Sequence, residues 1–281
     1  MPELPEVETV RRGLKKFILK QKLQKVEVLC EKSFVGESDL VVRAKVQDIR
    51  RFGKALVIDF DNLYSLLIHL RMTGQLIYDG KERYAAGHPS ENFVAELPNG
   101  QTRVVLTFDK GTLYFNDQRK FGFIKVLDTF DVEKEEFIEK LAREPWKMSG
   151  DEFFEKLQRH KDASIKAVIL DQKVICGLGN IYADEALWMA EIHPKRKAGS
   201  LSRGEAMSLL GAACAVMEKS IELGGSTIRN YVKADGTRGN YLDSFARVYH
   251  RDGEACARCG GTIEKIKVAG RGTHYCPVCQ K

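Results

Sequence analysis

The chain has 281 residues, with 45 Lys and Arg against 39 Asp and Glu, and a net charge of +6. That length suggests two domains with real cores. No apolar run reaches membrane-spanning length and no secretory leader is recognised, so a soluble, intracellular, cytoplasmic protein is expected. The basic excess is uneven: residues 1–150 carry 25 basic and 23 acidic side chains, whereas residues 229–281 carry 10 and 5. A polyanionic partner touching the tail would account for this, and so would a solvated surface.

The chain opens Met1-Pro2-Glu3-Leu4-Pro5-Glu6. A small second residue permits removal of Met1 and leaves Pro2 with a free secondary α-amine. An α-amine has a pKa near ~8, so a useful fraction is unprotonated at neutral pH and can attack an electrophilic carbon. Glu3 beside it can move protons. A frayed terminus without a job is the alternative. Val7, Val10, Leu14 and Phe17 then recur at helical spacing, with Pro5 suited to the first turn and Glu6 and Glu8 to its positive end.

From Leu23 to about Leu127 the chain changes to short runs rich in Val, Ile, Leu and Phe, such as Lys25–Cys30, Ala55–Phe60, Tyr64–His69, Val104–Phe108 and Leu113–Phe115. Turn signals at Asp61-Asn62, Asn99-Gly100 and Lys110-Gly111 separate them, which predicts an all-β unit with the first helix attached. Lys54 follows Arg51-Phe52-Gly53 and serves either as a phosphate clamp or as a surface lysine. Two loops, His69–Gly74 and Asp117–Gly122, carry Met72, Arg119 and Phe121. A flexible Met, a charged Arg and a flat Phe on loop tips suit insertion into a base stack, although Met and Phe are more often core residues.

Asp131–Lys147 is charged, contains Pro145 and reads as a short helix and linker. Helical patterning follows in Ala163–Leu170, Ile181–Ala190 and Ser202–Leu223. Lys166 lies in a largely apolar helix, where a cation needs a carboxylate or phosphate partner. Asn180 follows Gly177 and Gly179 at a helix start, where it would hold a phosphate or act as an ordinary cap. Cys30, Cys176 and Cys214 are scattered in apolar surroundings and read as reduced core thiols. Cys256-Ala-Arg-Cys259 and Cys276-Pro-Val-Cys279 are separated by sixteen residues. Two such knuckles form a four-thiolate zinc site with no open position, hence a structural metal. Arg271, between glycines at the tip between the knuckles, suits close approach to phosphate, or is a solvated surface side chain.

Taken in order, these pieces resemble the formamidopyrimidine-DNA glycosylase family of bacterial base-excision enzymes. Pro2–Thr9 matches the family's start, and His69–Gly74 and Asp117–Gly122 its two void-filling loops. Leu170–Lys173 through Cys176–Tyr182 matches its helix–two-turn–helix signature. Gly224-Gly225-Ser226-Thr227 matches the approach to its lesion-recognition loop, and Arg271 between the CxxC pairs its zinc finger.

The resemblance implies an α+β fold. An N-terminal helix and β-sandwich would occupy residues 1–130 and a linker 131–150. A helix–two-turn–helix region would follow at 151–228, a lesion-recognition loop at 229–245 and a β-hairpin zinc finger at 246–281. It implies a monomeric, nucleoid-associated glycosylase and abasic-site lyase that excises oxidised purines from damaged double-stranded DNA. One structural zinc and no organic cofactor are expected. Pro2 resembles the nucleophile, Glu3 the acid–base residue and Glu6 the second carboxylate of that site. Lys54, Asn180 and Arg271 resemble the phosphate clamps, and Met72, Arg119 and Phe121 the triad that fills the vacated stack. His69, Lys166 and Tyr241 join the expected DNA contacts.

The sequence departs from the family's pattern at Ser90 and Asn92, where many relatives carry a His-x-His pair, with His88 as a possible substitute. Arg71 stands where glycine is frequent, and Lys120 where a second arginine is. Two other readings stay open: an endonuclease VIII-like enzyme acting on oxidised pyrimidines, and a catalytically silent damage sensor.

Overall fold

The computed structural model describes residues 1–88, 90–225 and 245–281. They divide into two units, which split between Glu139 and Lys140. Residues 223–225 return to the first unit, and residues 245–281 belong to the second. No helix among the described residues is long and apolar enough to cross a membrane.

The first unit begins with helix α1 (Leu4–Ile18). Val7, Val10, Leu14 and Ile18 form one buried stripe. The expected fourth position, Phe17, is only partly buried and instead stacks on Tyr78 and Tyr84 at 5.2 and 5.4 Å. Tyr84 also donates its hydroxyl to Thr9 O at 2.8 Å. A Cβ on Gly13 would lie 1.9 Å from the Tyr84 ring, so only glycine lets the ring lie this close to the helix. The helix start is closed by a capping box: the Glu3 side chain accepts from the Glu6 backbone, and Glu6 Oε2 accepts from Glu3 N at 2.8 Å.

Ten strands follow: β1 Leu23–Val28, β2 Phe34–Val35, β3 Val46–Phe52, β4 Ala55–Phe60, β5 Tyr64–His69, β6 Gly74–Gly80, β7 Tyr84–Gly87, β8 Thr102–Phe108, β9 Gly111–Asp117 and β10 Phe123–Asp128. They form two five-stranded sheets, β1-β8-β9-β6-β7 and β2-β10-β5-β4-β3. Every pairing is antiparallel except β2 with β10. Residues of both sheets and of α1 share one core that includes Leu56, Ile58, Ile68, Leu106 and Phe115. The outer side of β4 and β5 is covered by Val132 and Ile138, so β4 is buried on both faces and reads as an unbroken apolar run. This is the expected sandwich with its attached helix.

The second unit holds helices α3 (Gly150–Arg159), α4 (Ile165–Leu170), α5 (Asn180–Met189) and α6 (Arg203–Glu222), while the short α2 (Glu136–Glu139) closes the first unit. Ser149 and Ser164 cap α3 and α4 by accepting from Glu152 N and Ala167 N. The turn before α5 is held by Gln172, which accepts from Gly177 N and donates to Leu170 O and Leu178 O, each at 2.9 Å. Helix α5 is buried continuously from Ile181 to Trp188. The hairpin of β11 (Glu264–Val268) and β12 (Arg271–Tyr275) turns through Ala269 and Gly270, at φ +49° and +73°. A two-residue hairpin loop demands such positive φ values to match the strand twist.

Candidate active site and nucleic-acid interface

In the structure the terminal amine belongs to Met1; once Met1 is removed, the amine moves one residue inward, to Pro2, which is buried. Burial is the main force lowering the amine's pKa from 8.0. The charges of Lys54 and Arg119 lower it further, against the opposing pull of Glu3 and Glu6. The terminal amine therefore lies within the fields of both carboxylates and of Lys54 and Arg119. Glu3 and Glu6 are 2 % and 7 % exposed, and their capping box holds both beside the amine. Gly225, at φ +88°, runs against Glu6: a Cβ there would sit 3.3 Å from Oε1.

Lys54 is placed by a chain of contacts that starts in α1. Glu8 gathers Arg11, Arg12 and Arg51, whose hydrogen bonds pull its carboxyl down to about 2 despite burial. Arg51 also donates to Gly53 O at 3.1 Å. Gly53 and Lys54 form the two-residue loop between β3 and β4, with Gly53 at φ +54°. Lys54 therefore stands in a turn just ahead of the strand.

His69 ends β5, and its Nδ1 accepts from Arg71 N at 3.0 Å. Burial first, then the charges of Arg71 and Lys54, push its pKa down to about 3, so the ring is neutral and carries its proton on Nε2. Arg119 and Phe121 are exposed, the guanidinium lying 4.7 Å from the Phe121 ring centre. Met72 is half-buried. Ser90 and Asn92, which replace the familiar histidines, have structural work. Ser90 caps a short turn by accepting from Asn92 N, and Asn92 joins Gln75, Asn99 and Gln101 in a polar network. His88 has its pKa lowered by burial first and by the terminal amine second, which places it on the amine's side of the unit.

In the second unit the four cysteines come together. Cys256 and Cys279 Sγ are 3.9 Å apart, Cys259 and Cys276 Sγ are 3.5 Å apart, and all four lie within 4.8 Å of one another. A tetrahedral zinc with Zn–S of ~2.3 Å requires S···S separations of about 3.8 Å, so the residues fit the ion. Trp188 ties the site to α5: its Nε1 donates to Cys256 Sγ, and its ring lies 4.2 Å beneath the Arg258 guanidinium.

Arg271 is exposed at the hairpin tip. Asn180 is the first residue of α5, behind an N-cap at Gly179, so it is not the cap itself. Its Nδ2 donates to Gly272 O at 2.9 Å, and this joins the helix start to the hairpin tip. Lys166 departs from the expected role as a DNA contact. Its side chain is 0 % exposed, and Nζ lies 2.6 Å from Asp184 Oδ1 and 2.7 Å from Thr273 Oγ1. A buried ammonium holding these partners braces the hairpin from inside rather than meeting phosphate. Asp184 Oδ2 in turn accepts from His274 N at 2.9 Å. Tyr241, and most of the segment expected to recognise the lesion, lie outside the described residues.

Several functional supports escaped the sequence reading. Glu185 accepts from the backbone N–H groups of Arg247, Val248 and Tyr249, while burial raises its pKa. Asp184 and Glu185 are adjacent acids in a helix with no exposed face, the same anomaly that marked Lys166. Asp117 enters the sequence reading only as the first residue of one loop, and Thr73 only as a residue within the other.

The first unit is a helix and sandwich presenting an amine beside carboxylates and cations, and the second is helical and carries a hairpin whose four cysteines suit zinc. The formamidopyrimidine-DNA glycosylase N-terminal domain matches residues 1–124, the H2TH domain of the same enzymes matches residues 141–232, and the zinc finger found in FPG and IleRS matches residues 253–281. Formamidopyrimidine-DNA glycosylases of an Exiguobacterium species and of Streptococcus thermophilus are each 40 % identical, over the full length of both chains. Among solved structures, Lactococcus lactis Fpg with an abasic site containing DNA superposes with a TM-score of 0.88 at 36 % identity, and an FPG mutant from the same organism with a Fapy-dG containing DNA with 0.87 at 35 %; each covers all of both chains. The chain belongs to the formamidopyrimidine-DNA glycosylase family, and it carries one structural zinc ion on Cys256, Cys259, Cys276 and Cys279.

Proposed function

We propose that this glycosylase binds damaged duplex DNA and excises oxidised purines, 8-oxoguanine opposite cytosine and formamidopyrimidines, with abasic-site lyase activity. The observation that carries the reading is the buried Pro2 beside the buried capping box of Glu3 and Glu6, with Lys54 and Arg119 near enough for their charges to act on the terminal amine. The Lactococcus lactis structures with Fapy-dG and abasic-site DNA support the substrate class.

A base inside a duplex is out of reach of a buried amine, so the nucleotide is turned out of the stack. Met72, Arg119 and Phe121 fill the space, with Arg119 facing the orphaned cytosine. Phosphate contacts fall to Lys54 and His69 in the first unit and to Asn180 and Arg271 in the second. His69 acts there as a neutral Nε2–H donor. The Pro2 nitrogen attacks C1′, and the bond to the base breaks. Glu3 delivers a proton to the opening sugar, and Glu6 holds Glu3 and the amine in place. The resulting iminium acidifies the C2′ proton. β-Elimination and then δ-elimination cut the strand on both sides, leaving phosphates at both ends of the gap. Zinc contributes folding of the hairpin and no chemistry.

The test is an end-labelled duplex containing 8-oxoguanine opposite cytosine, beside one containing thymine glycol. Preferential cutting of the first with a β,δ-elimination product is expected. Preferential cutting of thymine glycol would move the protein to the pyrimidine-specific enzymes. Tight binding without cutting would make it a sensor.

A further inference from the structure

The two loops that carry Met72, Arg119 and Phe121 emerge from adjacent strands: Gly74 at the start of β6 pairs with Asp117 at the end of β9. Asp117 is 0 % exposed, yet it stands at the root of an exposed loop. Its Oδ2 accepts from Phe121 N at 2.8 Å and Gly122 N at 2.7 Å. Its Oδ1 accepts from Arg119 N at 3.1 Å and from the Thr73 hydroxyl. Thr73 Oγ1 itself accepts from Arg119 N at 3.0 Å. One carboxylate thus gathers three backbone N–H groups of one loop and the single hydroxyl of the other.

The surroundings leave this node little freedom. Arg103 Nε donates to Asp117 O at 2.7 Å and fixes the backbone behind the carboxylate. A Cβ on Gly122 would lie 2.8 Å from the Phe115 ring and 2.9 Å from His69 O, and one on Gly74 would lie 2.3 Å from Leu70 O. Lys120, between Arg119 and Phe121, is held at φ +56°, a conformation that costs a non-glycine residue and that the bonds on either side maintain. Phe121 nevertheless remains 54 % exposed. The tips project while their bases are locked together.

We propose that Asp117 and Thr73 are positioning residues that clasp the two loops into one preformed wedge. Met72, Arg119 and Phe121 then enter the base stack together, without the cost of ordering each loop at that moment. The inference rests on the glycosylase reading above.

Thr73→Val is the decisive variant, because it keeps the shape and removes only the hydroxyl link. Two rates are compared: single-turnover excision of 8-oxoguanine from a duplex, which needs the wedge, and cleavage of an abasic site in single-stranded DNA, which has no stack to open. Losing hydrogen bonds to a charged group predicts about a tenfold fall in the first rate. The second rate should stay within about twofold, and Thr73→Ser should restore the first. Asp117→Asn, which leaves one oxygen for four donors, should lose more of the duplex rate than Thr73→Val does. Equal loss of both rates, or no loss from Thr73→Val, would overturn the clasp. A wild-type protein inactive on both substrates would instead overturn the glycosylase reading, and the wedge with it.

Discussion

The buried pair of Lys166 and Asp184 makes the sharpest stability prediction. Both side chains are 0 % exposed, 2.6 Å apart, and Lys166 Nζ also reaches Thr273 Oγ1. Removing one partner of a buried pair strands the other charge and costs about 3–5 kcal/mol. Asp184→Asn should fall at the lower end, ~3 kcal/mol, because an amide oxygen still accepts one of the two bonds that Asp184 receives from Lys166 and His274 N. The chain's two tryptophans, Trp146 and Trp188, both lie in the second unit, so urea unfolding followed by their fluorescence reports that unit alone. With a slope of ~2 kcal/mol per molar urea, the midpoint should drop by about 1.5 M. Combining Lys166→Met with Asp184→Asn should recover part of the loss, since no unpaired ammonium remains. A midpoint within ~0.3 M of wild type in Asp184→Asn, or a double variant worse than the two single losses added, would refute the bracing role.

Three further outcomes follow from the geometry. Glu8 lies near 2 when folded, against 4.5 for the free group; at ~1.4 kcal/mol per pH unit, it stabilises the first unit by roughly 3 kcal/mol. Because the folded pKa is depressed, that contribution is complete above about pH 4.5 and is lost as pH falls toward 2; Glu8→Gln should show the loss at pH 7 and little difference from wild type near pH 2 by chemical denaturation. Lys54→Met removes a cation that lowers the amine pKa, so the acidic limb of the excision pH profile should move to higher pH; an unmoved limb would remove Lys54 from the amine's surroundings. Chelating zinc should change Trp188 fluorescence and weaken DNA binding while the first unit keeps its fold by circular dichroism; intact binding without zinc would contradict the structural role of the hairpin.

Much of this was legible in the sequence, for identifiable reasons. Ala55–Phe60 and Tyr64–His69 are β4 and β5 to the residue, because β4 is buried on both faces and β5 nearly so. Strands β2, β3, β6 and β7 were not singled out. In β3, Asp48, Arg50 and Arg51 interrupt the apolar residues, and β7 is only Tyr84–Gly87, with two alanines and no branched side chain. The four zinc cysteines are legible because their spacing encodes the geometry. Lys166 was flagged correctly as needing a partner, but a single sequence does not show that the partner is Asp184, 18 residues on, rather than a phosphate. Asp117 was invisible as a clasp because its donors are backbone N–H groups, which every residue type provides.

The most direct test is borohydride trapping of the untagged protein on a duplex containing 8-oxoguanine opposite cytosine, with peptide mapping of the adduct. The account predicts a covalent protein–DNA band whose attachment maps to Pro2, lost when the terminal amine is blocked. A trapped adduct on any lysine, or full cutting activity with the amine blocked, would contradict it.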